Sequence, residues 1–224
     1  MKKRHNILIF AGGLSEEREV SLTSAKAVAE SLIRQDNKIA VIDIATGQSL
    51  LDVKGRYILE PDLNSLSRLD MKKSESVILA ETMGSEEYKK CDLVFLALHG
   101  GAGENGIIQG MLDLAGVKYT GSGRLASAIA MNKAVTKRLI QSEGILTPKW
   151  VMVNLKNINR LEDFAEEIKG QLDFPMVVKP NDSGSTIGLT LVKKESDLTA
   201  AINKAGRISD EVLIEEYILS LIHI

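Results

Sequence analysis

The chain has 224 residues, of which 44% are hydrophobic and 26% are charged, and its formal net charge at pH 7 is −2. This composition is typical of a globular protein with a buried core, and the length suits one large or two small domains. The slight acidic excess argues against a dedicated nucleic-acid binder, because neutralising phosphates requires a basic excess. The single cysteine cannot form an intrachain disulfide, and no apolar run approaches the roughly 20 residues that a membrane helix needs. We therefore expect a cytoplasmic protein that binds neither nucleic acid nor membrane.

The N-terminal half has the pattern of an α/β domain. Continuous apolar runs at residues 6–11 and 39–44 predict buried strands, and helical spacing of apolar residues from Val20 to Ile33 predicts a helix between them. Residues 45–90 show no regular pattern. A third buried strand at residues 92–98 is predicted next. This order predicts a Rossmann-like domain with a parallel sheet.

A short helix at residues 107–114 follows the third strand, and a Gly121-Ser122-Gly123 break comes after it. We place the domain boundary at this break, because glycine and serine clusters mark connections between packed segments. The second half then opens with one long helix at residues 124–143.

The pattern of the second half is that of an α+β domain. Four apolar runs predict strands, at residues 150–153, 176–179, 189–192 and 211–215, and the second and third of them form a hairpin. Two amphipathic segments predict helices, at residues 161–172 and 196–205. Ser196 is the candidate N-cap of the later helix.

Two polar loops follow strands of the predicted parallel sheet, where open α/β sheets bind ligands. The first loop, residues 12–19, contains three carboxylates. Either they cap the next helix, or one of them binds an ammonium group. The second loop, residues 99–106, offers His99 and Glu104 among glycines that let a ligand approach the backbone closely. For His99, a hydrogen bond within its own turn is the alternative interpretation.

A third loop, residues 179–188, joins two predicted strands and contains small polar residues. Its backbone N–H groups and hydroxyls can donate to phosphate oxygens, while Lys179 supplies a positive charge. The loop lacks the residue order of a Walker A motif, so it does not belong to a P-loop NTPase. A flexible hairpin is the alternative.

Taken in order, these segments resemble the D-alanine–D-alanine ligase family of the ATP-grasp superfamily. The motifs that carry the resemblance lie at residues 12–21, 99–110, 119–123, 132–133, 179–180, 184–188 and 212–215. The resemblance implies a Rossmann-like N-terminal domain at residues 1–121 and an α+β ATP-grasp central domain at residues 122–218. Residues 219–224 resemble no segment of the family, and we expect the C-terminal catalytic lobe to be missing.

The family resemblance also implies a function, the ATP-dependent ligation of two D-alanines through an acyl phosphate, for peptidoglycan precursor synthesis. Glu17 would be a catalytic residue that holds the amino group of the first D-alanine, and Ser185 would be a second catalytic residue in the same network. His99 and Glu104 would line that pocket. The residues implied to contact ATP are Lys133, Lys179, Ser183, Gly184, Ser185, Thr186, Glu215, Glu216, Tyr217 and Ile218.

The resemblance implies ATP with Mg²⁺ or Mn²⁺ as cofactors, D-alanine as the substrate and a homodimeric assembly. No metal ligand is expected in this chain, because the family's ligands lie in the missing lobe. Ligases that join D-alanine to D-lactate or D-serine remain alternatives, as does a catalytically inactive nucleotide-binding fragment. A nicotinamide-dependent oxidoreductase is disfavoured, because the first glycine-rich loop lacks the G-x-G-x-x-G fingerprint.

Overall fold

The computed structural model of the protein describes residues 4–57, 75–157, 164 and 167–219. By its internal contacts the chain divides into two compact units, Met1–Ala128 and Ile129–Ile224. The domain boundaries inferred from sequence, at residues 121 and 218, remain predictions.

The first unit is built on a three-stranded parallel sheet with the order β2-β1-β3. Its elements are β1 (Asn6–Ala11), α1 (Arg18–Arg34), β2 (Lys38–Asp43), α2 (Glu75–Met83), α3 (Glu86–Lys89), β3 (Leu93–Leu96) and α4 (Ile107–Leu114), with a 3₁₀ turn at Gly101–Gly103. Residue Ile7 of β1 pairs with Ile39 of β2 on one side and with Leu93 of β3 on the other. The predicted parallel sheet is thereby confirmed.

Both faces of this sheet are covered, which explains why β1 is apolar throughout. Leu8 and Phe10 belong to one core cluster, with Ile108 and Leu112 of α4. The alternate residues of β1 belong to a second cluster, to which α1 contributes Leu22, Ala25 and Ala29. Successive side chains of a strand point to opposite faces, so a strand between two layers needs apolar residues at every position.

The second unit is built on a four-stranded antiparallel sheet with the order β4-β7-β5-β6. After helix α5 (Arg124–Met131), the elements along the chain are α6 (Lys133–Ser142), β4 (Trp150–Asn154), β5 (Met176–Pro180), β6 (Thr190–Val192), α7 (Leu198–Gly206) and β7 (Glu211–Glu216), with 3₁₀ turns at Leu155–Asn157 and Glu195–Asp197. Helix α7 packs on one face of the sheet through Leu198, Ala201, Ile202 and Ala205, which share a core cluster with alternate strand residues. The predicted hairpin of β5 and β6 is confirmed by their antiparallel pairing.

The prediction of one helix over residues 124–143 is wrong. The segment forms two helices, α5 (Arg124–Met131) and α6, which are separated at Asn132. The backbone of Asn132 is extended, and its side-chain oxygen accepts a hydrogen bond from the backbone N–H of Val135 at 2.9 Å. An asparagine that caps a helix satisfies an N–H group that has no partner inside the helix, and here this local bond overrides the continuous apolar stripe.

Three smaller expectations also need correction. Asp197, not Ser196, is the N-cap residue of α7, and the Ser196 hydroxyl donates to the Asp197 carboxylate at 3.0 Å. Val20 and Ile33, counted in the apolar stripe of α1, are exposed. Helices α2 and α3 occupy part of the segment that had no regular pattern, and residues 58–74 lie outside the described residues.

The helix predicted over residues 161–172 lies only in part within the described residues. Residues 167–169 are helical and Gly170 is in a turn, so the helix ends before Leu172. Within the described ranges, no helix combines the length and the apolar character needed to cross a membrane.

Candidate functional site

In the first unit, the loop after β1 is held by a buried ion pair. The Arg18 guanidinium donates to both carboxylate oxygens of Asp43, at 2.8 and 2.5 Å, and to the carbonyl of Gly13 at 3.0 Å. Asp43 is fully buried, and Arg18 is 8% exposed. The hydrogen bond to Asp43 is the main reason why the pKa of Arg18 is raised, although burial acts against it. The ion pair therefore holds the Gly13 carbonyl in place, in the turn that leads to Glu17.

Gly12 is required at this turn because the backbone passes directly over the ion pair. Its φ is +71°, and a Cβ atom there would lie 2.2 Å from Oδ1 of Asp43. The N–H of Gly12 donates to the Ser21 hydroxyl at 2.9 Å, and that hydroxyl donates to the carbonyl of Ala97 at 2.7 Å. Ser21 therefore ties the loop after β1 to the end of β3.

The predicted residues Glu17 and His99 lie on these two neighbouring loops. Ser15 donates from its hydroxyl to the His99 carbonyl at 2.5 Å, and Nε2 of His99 lies 3.2 Å from the Ser24 hydroxyl. Oε2 of Glu17 lies 2.9 Å from the position that a Cβ atom would occupy at Gly100. Glu17 and His99 are both half-buried. The structure thus brings the loop of Glu17 and the loop of His99 together at the carboxyl ends of β1 and β3.

A cavity of about 160 Å³ opens between the two loops. Its lining residues are Gly12, Gly13, Leu14, Ser15, Ile44, Leu98, His99, Gly100, Gly101, Ala102 and Gly103. Glu17 approaches its wall at Gly100 and stands as the N-cap residue of α1, without a side-chain capping bond. Glu104, also predicted for this pocket, is exposed at the end of the 3₁₀ turn and lies outside the lining.

In the second unit, Lys133 and Lys179 line one cavity of about 170 Å³ together with the loop between β5 and β6. Nζ of Lys133 donates to the carbonyl of Ser183 at 2.5 Å and to that of Asn181 at 3.3 Å. Burial, and then the neighbouring charge of Lys179, lower the pKa of Lys133. Two ammonium groups beside a loop of polar small residues form a site suited to an anion.

The loop has an unusual backbone. Ser185 and Thr186 have φ values of +45° and +58°, and Gly188 has +72°. Non-glycine residues in the left-handed region cost about 1–2 kcal/mol each, so such a conformation persists only where its surroundings fix it. At Gly188, an added Cβ atom would lie 2.5 Å from Cδ1 of the exposed Ile208 side chain and 2.9 Å from Cγ of Pro180, so the positive φ and the proline ring both favour glycine there.

Asn181 anchors this loop to α6 and β7, and it was not among the residues predicted for the site. The residue is fully buried; its side-chain oxygen accepts from the N–H of Ala134 at 2.9 Å, and its amide donates to the Glu211 carboxylate at 2.8 Å. Its carbonyl accepts from the N–H of Lys133 at 3.0 Å. Its place directly after the Lys179-Pro180 motif was the available signal.

The predicted nucleotide residues at the end of β7 are in different environments. The Glu215 side chain is nearly buried and forms ion pairs with Lys179 and with Lys137, the latter at 2.8 Å.

The Glu216 carboxylate accepts from the backbone N–H of Lys149 at 3.3 Å. Beyond β7, Tyr217 donates its N–H to the Pro175 carbonyl at 3.1 Å, and Ile218 is exposed.

The ion pairs of Glu215 follow from the register of the sheet. Lys179 of β5 is paired with Leu213 of β7, so Glu215 is its diagonal neighbour on the same face. Burial opposes the ionisation of Glu215, but hydrogen bonds from Lys137 and Lys179 outweigh it and lower the pKa of this carboxyl. Lys137 was also missed, although it lies one helical turn after Lys133 and therefore on the same side of α6.

No group of three or more histidine, cysteine, aspartate or glutamate side chains suited to a metal ion occurs in the described part of the chain. Glu17 lies in the first unit and Ser185 in the second, so the network predicted to join them remains a prediction.

Comparison with known proteins gives two family matches. The family described as D-ala D-ala ligase N-terminus matches residues 6–122, and the one described as D-ala D-ala ligase C-terminus matches residues 139–222. A D-alanine–D-alanine ligase of Pediococcus pentosaceus is 37% identical over 95% of this chain and 62% of its own length. The corresponding protein of Pelotomaculum thermopropionicum is 38% identical over 94% of this chain and 56% of its own.

Solved structures give the same result. A D-alanine–D-alanine ligase of Bacillus anthracis matches with a TM-score of 0.66 and 27% identity, over 96% of this chain and 58% of its own. The VanG D-Ala:D-Ser ligase of Enterococcus faecalis matches with a TM-score of 0.71 and 30% identity, over 97% of this chain and 64% of its own. The chain spans about six tenths of the length of the curated relatives that it matches.

Proposed function

The chain belongs to the D-alanine–D-alanine ligase family, as its motifs predicted, and on that premise we propose that it serves the ATP-dependent joining of two D-alanines to D-alanyl-D-alanine. In this proposal the first unit binds the first D-alanine and the second unit binds ATP. The product would be used in peptidoglycan precursor synthesis.

The observation that carries the proposal is the cavity lined by Lys133, Lys179 and the loop at residues 183–187. ATP would supply the phosphoryl group that activates the carboxylate of the first D-alanine. Phosphoryl transfer depends mainly on positioning and on neutralising charge, and two ammonium groups with loop hydroxyls and N–H groups suit both tasks. The polar loop residues proposed to donate are Ser183, Gly184, Ser185 and Thr186.

Support for a D-alanine site comes from the loops of the first unit. A half-buried carboxylate such as that of Glu17 is a suitable partner for the ammonium group of an amino acid, and His99 lines the adjacent cavity. The cavity of about 160 Å³ is of a size for a small molecule. We also propose contacts of Glu104 and Ser185 with D-alanine and of residues 215–218 with the adenine. These contacts rest on the family resemblance alone.

The described residues of this chain do not fit a metal site, so no step is assigned to Mg²⁺ or Mn²⁺ here. A requirement for such an ion, a homodimeric assembly and a cytoplasmic location are further parts of the proposal. They rest on the family and on the use of ATP. Metal dependence of ADP release and sedimentation of the protein would test the first two.

Isothermal titration of ATP into the protein tests the nucleotide site. We expect binding that Lys133→Met weakens at least tenfold, since one of two cavity-lining charges is removed. Lys156→Met is the matched control, because it removes the same charge from an exposed ion pair with Asp210. Equal affinities of the wild type and Lys133→Met would contradict the assigned site.

Ligase activity is tested by D-alanine-dependent release of ADP and by mass-spectrometric detection of the dipeptide. Glu17→Gln should weaken the use of D-alanine and spare ATP binding, since it removes the charge opposite the ammonium group. No ADP release with D-alanine, together with ADP release with another acid and amine, would refute the substrate assignment. Nucleotide binding without dipeptide formation would instead support the inactive-fragment hypothesis. Assays with D-lactate or D-serine as the second substrate test whether the protein is one of the related ligases.

A further inference from the structure

Lys137 is a buried lysine beside the nucleotide cavity that the proposed function does not use. It is 7% exposed and lies one turn after Lys133 in α6. Its Nζ contacts three acceptors: Oε2 of Glu215 at 2.8 Å, the hydroxyl of Thr147 at 2.5 Å and the carbonyl of Pro148 at 3.3 Å. Lys137 is not among the residues that line the cavity. Its ammonium group is therefore committed to protein acceptors.

Glu215 connects this buried lysine to a lysine of the cavity. One of its oxygens accepts from Lys137, and the other accepts from Lys179, which lines the cavity. The Glu215 side chain is only 10% exposed and that of Lys179 only 20%, so water screens these charges weakly. The electrostatic interactions among Lys137, Glu215 and Lys179 are therefore strong, and removing the charge of one alters the environment of the other two.

The charges of this cluster explain what Lys137 contributes. Three lysines, Lys133, Lys137 and Lys179, and the carboxylate of Glu215 sum to a net charge of +2. Without Lys137 the sum is +1, and the whole negative charge of Glu215 acts on Lys179. An anion that approached Lys179 would then compete with a carboxylate that has no other cationic ion-pair partner among the described residues.

We propose that Lys137 is a positioning residue of the nucleotide site, which acts through Glu215 to keep Lys179 available to phosphate oxygens. Lys137 itself does not contact the nucleotide. The proposal rests on the nucleotide-binding part of the proposed function.

The test is a double-mutant cycle on ATP affinity, measured by titration calorimetry on the whole chain with Lys137→Met, Glu215→Gln and both together. Lys137→Met alone should weaken ATP binding about tenfold. In a protein that already carries Glu215→Gln, Lys137→Met should weaken ATP binding by less than about threefold, because no carboxylate is left to be neutralised. Lys156→Met, which removes an exposed charge in the same unit, should leave the affinity unchanged.

The outcomes separate the possibilities. Equal affinities of the wild type and Lys137→Met would overturn the proposal and leave the nucleotide site in place. An equal loss in both backgrounds would also overturn it, since that is what a merely structural role predicts. A wild-type protein that binds no ATP would refute the nucleotide site and this proposal together.

Circular dichroism and urea unfolding show whether each variant is folded. If Lys137→Met does not fold, the ATP affinities of Lys137→Arg and of the double variant are measured instead. Lys137→Arg keeps the charge beside Glu215 and should retain ATP affinity within about threefold, as should the double variant relative to Glu215→Gln. A tenfold loss in either comparison would overturn the proposal.

Discussion

Replacement of Arg18 by methionine is a sharp test of the buried ion pair beneath the first loop. The substitution keeps much of the apolar length of the side chain but removes the guanidinium, which makes three hydrogen bonds, two to Asp43 and one to Gly13. It leaves a fully buried carboxylate without its cation. Breaking one side of a buried ion pair costs about 3–5 kcal/mol.

Three other donors reduce this cost. Asp43 also accepts from the N–H of Gly13 at 3.3 Å, from the N–H of Ala45 at 2.9 Å and from the Thr46 hydroxyl at 3.1 Å. These bonds remain in Arg18→Met and continue to stabilise the carboxylate. We therefore expect the lower end of the range, about 3 kcal/mol of lost unfolding free energy, which is a large part of the 5–15 kcal/mol of a typical domain.

The assay is urea unfolding followed by circular dichroism, combined with hydrogen exchange of the β1 amides. The β1 amides report on the first unit directly. Asp43→Asn introduced together with Arg18→Met should recover part of the loss, because the unpaired charge is then gone. Arg56→Met removes an exposed arginine paired with Asp52 and should leave stability unchanged. A loss below about 1 kcal/mol for Arg18→Met, or a double variant less stable than the single one, would refute the reasoning.

Three further outcomes are expected. Gly188→Ala should destabilise the protein by about 1–3 kcal/mol in urea unfolding, because φ is +72° and the new Cβ would lie 2.9 Å from Cγ of the rigid Pro180 ring. Because burial, and then Lys179, lower the pKa of Lys133, ATP affinity should fall with rising pH at values below 10.5, and Lys133→Arg should move this fall to higher pH in calorimetry. Asn132→Ala should cost about 1 kcal/mol of unfolding free energy through loss of the helix cap, and an unchanged value would argue that α5 and α6 need no cap between them.

Local patterns were sufficient to predict most elements of the fold. The continuous apolar run of β1 predicted a strand buried on both faces, because side chains alternate across a strand and each face here meets its own apolar layer. The loops that follow β1 and β3 were predicted as ligand loops for a related reason, since neighbouring parallel strands end at the same edge of a sheet. Where a local hydrogen bond competed with periodicity, as at Asn132, the periodicity misled.

The sequence by itself determined the family, most helices and strands in their order along the chain, and the loops that bear Glu17, His99 and the lysines. Only the tertiary structure decided which groups neutralise one another. Arg18 and Asp43 are 25 residues apart, and Lys179 and Glu215 are 36 apart. Such pairs are made by sheet register and by packing between layers, which no periodicity of neighbouring residues encodes. The same applies to Lys137, whose proposed role depends on the carboxylate of Glu215, a residue of strand β7 rather than of its own helix.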